Sequence, residues 1–192
     1  MSKNLSLHNY TVNGYDKNKD VFIKLKDFGI NQKSSIGDIS YENEIIITML
    51  PNGKIVEEIW TSLLKKIKPN TLLVDCSTID IETSKRLHNM AAKKDVLSLD
   101  APVSGGTVGA DNGSLTFMVG GSKESYDLMS PLFDVMGNKS ILCGKSGSGQ
   151  ATKMCNNLLL AITMSGLGEV IKLANSQSLN MEKFYEVLST ST

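Results

Sequence analysis

Four short apolar runs, Tyr10–Asp16, Glu44–Met49, Thr71–Cys76 and Val96–Asp100, recur about twenty to thirty residues apart, the spacing of βαβ units. No other feature restricts the fold as strongly. EIIITML and TLLVD are apolar without alternation, the mark of strands covered on both faces, so the sheet should be mostly parallel with helices on either side. Lys17–Phe28, Val56–Lys66 and Thr83–Lys93 are amphipathic and read as the crossover helices. From Thr116 the pattern runs strand (Thr116–Val119), helix (Ser122–Met136), strand (Ser140–Cys143), which extends the sheet at its edge. Gln150–Ser176 then carries a long apolar series without proline, and Ser178–Thr192 reads as a further helix. The expected fold is α/β: a Rossmann-type, mostly parallel doubly wound sheet over residues 1–148, followed over 149–192 by a long interdomain helix and the start of an all-α domain.

Composition excludes several classes of function. Twenty basic residues balance twenty acidic ones, so no surface for nucleic acid is expected, and a small molecule is the natural partner. Cys76, Cys143 and Cys155 are odd in number and lack C-x-x-C spacing, which argues against a disulfide framework or a zinc site and for a reducing compartment. The most apolar stretch, Leu158–Met164, is too short to span a bilayer, so no membrane association is expected. With His8 and His88 as the sole histidines, and neither in a suggestive setting, a Ser-His-Asp triad or a histidine metal site lacks its parts. GKSGSGQ does not satisfy G-x-x-x-x-G-K-[ST], and nucleotide hydrolysis is set aside. MSKNLSLHNY has neither the apolar core of a signal peptide nor the arginines of a transit peptide.

Five stretches place polar groups where open α/β sheets bind ligands, outside the carboxyl ends of strands. Asp16, in TVNGYD, could accept from both ribose hydroxyls of NAD and repel the extra phosphate of NADP; it would serve equally as N-cap of a helix starting at Lys17. TMLPNG and DCSTID put Leu50, Pro51 and Thr78 within reach of a cofactor, although Pro51 could simply set a helix entry and Ser77, Thr78 and Asp80 supply turn and cap bonds. DAPVSGGTVGADNGSLTFMVGG holds six glycines, which mark either a plain hairpin region or backbone that must approach something closely. In GKSGSGQATKMCNN, Lys153 and Asn157 lie one helical turn apart, an ammonium and a carboxamide suited to an alcohol or carbonyl oxygen. Lysine can move the proton that accompanies hydride transfer when burial lowers its pKa; otherwise Lys153 is a solvated helix residue.

Taken in order, MSKNL, YD, TMLP, DCSTID, DAPVSGGTVGADNGSLTFMVGG and GSGQATKMCNNLLLAITM resemble the β-hydroxyacid dehydrogenase family over nearly the whole chain. The resemblance implies NAD as cofactor, contacted by Asp16, Leu50, Pro51 and Thr78. It implies that Ser104, Gly105 and Gly106 hold a substrate carboxylate, that Lys153 is the general acid/base and that Asn157 positions the substrate. The glycines would then be an anion cradle of convergent backbone amides. The implied reaction is NAD-linked oxidation of a short β-hydroxyacid, first of all 3-hydroxyisobutyrate to methylmalonate semialdehyde in valine catabolism. Related semialdehyde reductions, of tartronate semialdehyde, glyoxylate or succinate semialdehyde, are the alternatives. The family also implies a homo-oligomer at full length, mitochondrial in a eukaryote and otherwise cytoplasmic.

Two departures accompany the resemblance. In the family, a strand and a G-x-G-x-x-G loop precede the segment matching MSKNL, and a complete helical domain follows. Residues 1–192 are therefore expected to lack the first strand with its glycine loop and most of the helical domain, and to bind NAD poorly alone. A catalytically incompetent fragment or isoform that associates with an intact subunit is the alternative from outside enzymology.

Overall fold

The structure is a computed structural model that describes residues 1–191. It comprises two compact units that divide between Lys153 and Met154.

The first unit contains the strands β1 (Asn13–Gly14), β2 (Asn31–Gln32), β3 (Ile45–Thr48), β4 (Leu72–Asp75), β5 (Leu97–Asp100), β6 (Val103–Ser104), β7 (Leu115–Gly121) and β8 (Gly137–Gly144). Between them lie α1 (Ser2–Leu7), α2 (Val21–Leu25), α3 (Ile36–Glu42), α4 (Gly53–Leu63), α5 (Ile81–Ala92), α6 (Gly106–Asn112) and α7 (Lys123–Met136). The main sheet runs β3-β4-β5-β7-β6, with β8 along the other side of β7. Its β3–β4, β4–β5 and β7–β8 pairings are parallel, whereas β5 and β6 both pair β7 antiparallel. The expected mostly parallel sheet is thus present with an antiparallel seam. The seam arises because the chain returns from β6 to β7 through the short α6 and a left-handed Gly113 (φ 65°), without the long crossover that parallel pairing needs. Between β5 and β6 the backbone stays along the same edge: the Pro102 carbonyl accepts from Met118 N at 3.0 Å.

β4 shows why the sheet is apolar without alternation. All four of its residues are buried. Leu72 and Val74 face a cluster with Leu99, Phe117, Met129 and Phe133, while Leu73 faces the opposite cluster with Val56, Trp60, Leu87 and Ala91. α7 and α1 cover the first side and α4 and α5 the second, which is the doubly wound arrangement. The Phe117 and Phe133 rings lie 4.6 Å apart between centroids.

Several local expectations are corrected. The Tyr10–Asp16 run yields only the two residues of β1, which pair with β2 in a separate parallel sheet. The helix expected over Lys17–Phe28 starts at Val21 and tightens to 3₁₀ over Lys26–Phe28. Asp16 Oδ1 accepts from Asn18 N at 2.8 Å and Asn18 Oδ1 from Asp20 N at 3.0 Å, and such turns compete with the helix ladder. α3 was not foreseen, although Ser35 and Asp38 form a full capping box at its start.

After Lys153 the second unit holds the remainder of α8 (Ser148–Ser176) and α9 (Met181–Ser191). At 29 residues α8 is long and apolar enough to cross a membrane by length and composition only. The apolar series is longer than the run Leu158–Met164, because Leu167, Val170, Ile171 and Leu173 continue it, so the length of that run does not by itself decide the matter. Leu158, Leu159 and Ile162 are exposed in this unit.

Candidate active site at the carboxyl ends of β3, β4 and β5

The carboxyl ends of the parallel strands β3, β4 and β5 stand side by side, with Thr48 opposite Asp75 and Asp75 opposite Asp100. Each strand ends in a buried polar residue, and each of these organises the loop that follows.

Asp75 Oδ1 accepts from the Thr48 hydroxyl at 2.8 Å, the Ser77 hydroxyl at 2.6 Å and Ser77 N at 3.2 Å. Ser77 Oγ in turn accepts from Leu50 N at 2.8 Å, so the loops after β3 and β4 are joined where Leu50, Pro51 and Thr78 sit. Leu50 is half-buried, and Pro51 and Thr78 are exposed. The helix starts beside them are capped by other residues, Asn52 for α4 and Asp80 for α5. Asp75 Oδ2 has no hydrogen-bond partner, the single such buried side-chain atom among the described residues. Burial pushes the Asp75 carboxyl up to about 6.

Asp100 is 1% exposed. Its Oδ1 accepts from Gly147 N at 2.7 Å and its Oδ2 from Gln150 N at 2.9 Å. His88 Nε2 lies 3.0 Å from Oδ1, and His88 Nδ1 lies 2.7 Å from Ser98 Oγ. This corrects the reading of His88 as unremarkable: the fold does assemble a serine, a histidine and an aspartate. The aspartate's remaining lone pairs are committed to two backbone amides, so the group braces α5 and the entry to α8 against β5. Gln150, also 1% exposed, donates from Nε2 to the Ser77 carbonyl at 2.8 Å and accepts from Ile79 N at 3.1 Å. The start of α8 is therefore tied both to the end of β5 and to the loop after β4.

Lys153 follows Gln150 by three residues on α8 and is half-buried, and burial lowers its ammonium pKa. Three residues beyond Asp100 the chain enters β6, where Ser104 pairs with Thr116. Gly105 (φ 129°) and Gly106 (φ 62°) follow, both exposed. A Cβ on Gly106 would meet nothing within 4 Å, so its backbone angle and not crowding favours glycine there. The turn leads into α6, a helix that neither the hairpin reading nor the close-approach reading of this stretch included. Asp16 is exposed in the loop two residues past β1, and caps no helix. Asn157 is exposed on α8 in the second unit. Asp75, Asp100 and Gln150 were not singled out from the sequence; the available signal was a polar side chain ending each of two otherwise apolar strand runs.

Comparison with known proteins agrees with this architecture. Residues 1–144 match the NAD binding domain of 6-phosphogluconate dehydrogenase, and residues 147–192 match the NAD-binding module of NADP-dependent 3-hydroxyisobutyrate dehydrogenase. The mouse protein "3-hydroxyisobutyrate dehydrogenase, mitochondrial" is 38% identical over 100% of this chain and 58% of its own length. The solved 3-hydroxyisobutyrate dehydrogenase of Mycobacterium tuberculosis with L-serine superposes with a TM-score of 0.95 at 34% identity, covering 100% of this chain and 66% of that one. An imine reductase variant from Myxococcus stipitatus with NAD+ shares the fold, with a TM-score of 0.89 at 14% identity over 97% of this chain and 65% of its own. The chain thus spans about three-fifths of the length of the mouse relative.

Proposed function

The chain belongs to the β-hydroxyacid dehydrogenase family, NAD-binding oxidoreductases, and on that premise we propose that it serves the NAD-dependent oxidation of 3-hydroxyisobutyrate to methylmalonate semialdehyde, with Lys153 as general acid/base. The observation that carries this reading is the placement of a half-buried lysine of lowered pKa in the second turn of a helix whose entry is bonded to the strand leading to Ser104.

The residues fit a dinucleotide. Pro51 and Thr78 are exposed in the loops after adjacent parallel strands, and Asp16 presents an exposed carboxylate in the loop after β1, suited to a ribose diol. When bound, NAD supplies the hydride acceptor. The Ser104 hydroxyl and the amides of Gly105 and Gly106 hold the substrate carboxylate. Neutral Lys153 accepts the proton of the substrate hydroxyl as the carbon releases its hydride, which leaves a carbonyl and an ammonium. In the reverse direction the ammonium returns that proton to the carbonyl oxygen. Asn157 orients the substrate through its carboxamide.

The test is turnover of 3-hydroxyisobutyrate with NAD, measured for residues 1–192 and for a chain extended to the relatives' full length. Oxidation by the extended chain that disappears in Lys153→Ala is the expected result. Preferential turnover of tartronate semialdehyde, glyoxylate or succinate semialdehyde would reassign the substrate, and failure of both chains to bind NAD would overturn the reading.

A further inference from the structure

We propose that Asp100 is a positioning residue that holds the helix bearing Lys153 in fixed relation to the Ser104–Gly106 turn. The inference rests on the function proposed above for its catalytic consequence, and on geometry alone for its structural part.

The entry to α8, Gly144-Lys145-Ser146-Gly147-Ser148-Gly149, has little conformational preference of its own. Gly144 and Gly147 carry positive φ (142° and 87°), and glycine loses the most freedom on ordering. Something outside the loop must decide where the helix begins. The Gln150 side chain ties the first turn to the loop after β4, and Asp100 ties the entry to β5, with one carboxylate oxygen on Gly147 N and the other on Gln150 N. Hydrogen bonds donated by backbone amides to a carboxylate are stronger than those to a neutral acceptor.

Two glycines make the approach possible. A Cβ on Gly120, on the neighbouring β7, would collide with Asp100 Oδ1 and lie 2.7 Å from Gly149 N. A Cβ on Gly149 would lie 2.8 Å from Asp100 Oδ2 and 2.7 Å from the Asp100 carbonyl. Three backbone segments therefore close around one buried carboxylate, and His88 adds a third partner from α5. The same residue ends the strand that continues through Ala101 and Pro102 to Ser104. A displacement of the carboxylate would be felt at both the lysine and the anion cradle, whereas loss of a merely stabilising contact would not change their relation.

The test compares wild type with Asp100→Asn, which keeps the shape and removes the charge. On residues 1–192, limiting acetic anhydride labelling read by mass spectrometry should show Lys153 acetylated at least about threefold faster in the variant, with exposed Lys54 and Lys139 unchanged. Amide exchange at Gly147 and Gln150 should accelerate by about tenfold or more. In a chain extended to the relatives' full length, kcat should fall by about tenfold or more with NAD affinity kept within about threefold. His88→Asn is the second variant, since it leaves the carboxylate and its two amides in place; Lys153 labelling should rise in the same direction by a smaller factor. Unchanged Lys153 labelling in Asp100→Asn, or unchanged kcat despite faster exchange, would overturn the proposal. If Asp100→Asn does not fold, unchanged labelling in His88→Asn overturns it. If the wild-type extended chain turns over no β-hydroxyacid, the functional reading has failed, and labelling and exchange alone decide the role of Asp100.

Discussion

Thr48 and Asp75 stand opposite each other on β3 and β4, and the Thr48 hydroxyl donates to Asp75 Oδ1 at 2.8 Å. Trp60 Nε1 donates in turn to Thr48 Oγ1 at 3.1 Å, so a buried chain runs from α4 into the sheet. Asp75 Oδ2 is left without a partner, and desolvation outweighs the bonds to Oδ1, raising the carboxyl from 3.8 to about 6.

The sign of the resulting pH dependence follows. Native Asp75 keeps its proton to about pH 6, whereas the unfolded chain releases it near 3.8. Its contribution to stability is fully present below the lower value and is lost as the pH rises through the higher one, by on the order of 3 kcal/mol. Asp75→Asn removes this loss. Urea unfolding followed through Trp60 fluorescence should show the variant gaining on wild type between about pH 4 and 6. A constant difference across that range would refute the assignment.

Lys153→Ala, in a chain of the relatives' full length, should lower kcat by about a hundredfold or more with little change in NAD affinity. In wild type, oxidation should rise with pH through the lowered lysine pKa and reduction should fall, because the base must be neutral in one direction and the acid charged in the other. Turnover within a few fold of wild type would remove Lys153 from the mechanism.

Asp16 is exposed and accepts only a local bond from Asn18 N, so its replacement should leave the core intact. Asp16→Ser, together with an arginine introduced nearby, should shift preference from NAD towards NADP by relieving repulsion of the 2′-phosphate. An unchanged ratio of kcat/KM for the two cofactors would show that Asp16 does not face the ribose.

Ser104→Ala should weaken binding of hydroxyacids more than of matched alcohols without a carboxylate. Loss of one hydrogen bond to a charged group is worth about 1.5–3 kcal/mol, a difference of roughly ten- to a hundredfold in inhibition constant. Equal weakening of both ligand types would count against the anion cradle.

Gly149→Ala should destabilise the first unit even though alanine is the better helix former. The added methyl meets the Asp100 carbonyl and carboxylate and collides with the Met118 carbonyl, all held by the sheet. The expected cost is about 1–3 kcal/mol, seen as a lower urea midpoint. Gly166→Ala, at a helical position where a Cβ meets nothing within 4 Å, should be neutral or stabilising and serves as the control.

Much of this architecture was legible in the order of residues alone. Apolar runs such as EIIITML and TLLVD identify strands buried on both faces because period and length are local properties, and β3, β4 and β5 lie within those runs. The amphipathic α4, α5 and α7 follow from their spacing for the same reason. Where polar side chains compete with the backbone, as at Asp16 and Asn18, the periodic reading overextended the helix. The candidate site divides along the same line. Lys153 and Ser104 stand in recognisable stretches, but Asp100 touches Gly147 and Gln150 some fifty residues away, and no local pattern records that. The antiparallel seam that seats β6 beside β7, the burial that moves Asp75 and Lys153 from their usual pKa values, and the closeness of Gly120 and Gly149 to one carboxylate arise only when distant segments share a dry interior. Propensity and periodicity act between neighbours along the chain and so are written in the sequence, whereas desolvation and steric fit depend on which segments meet in space, and those the tertiary structure alone decided.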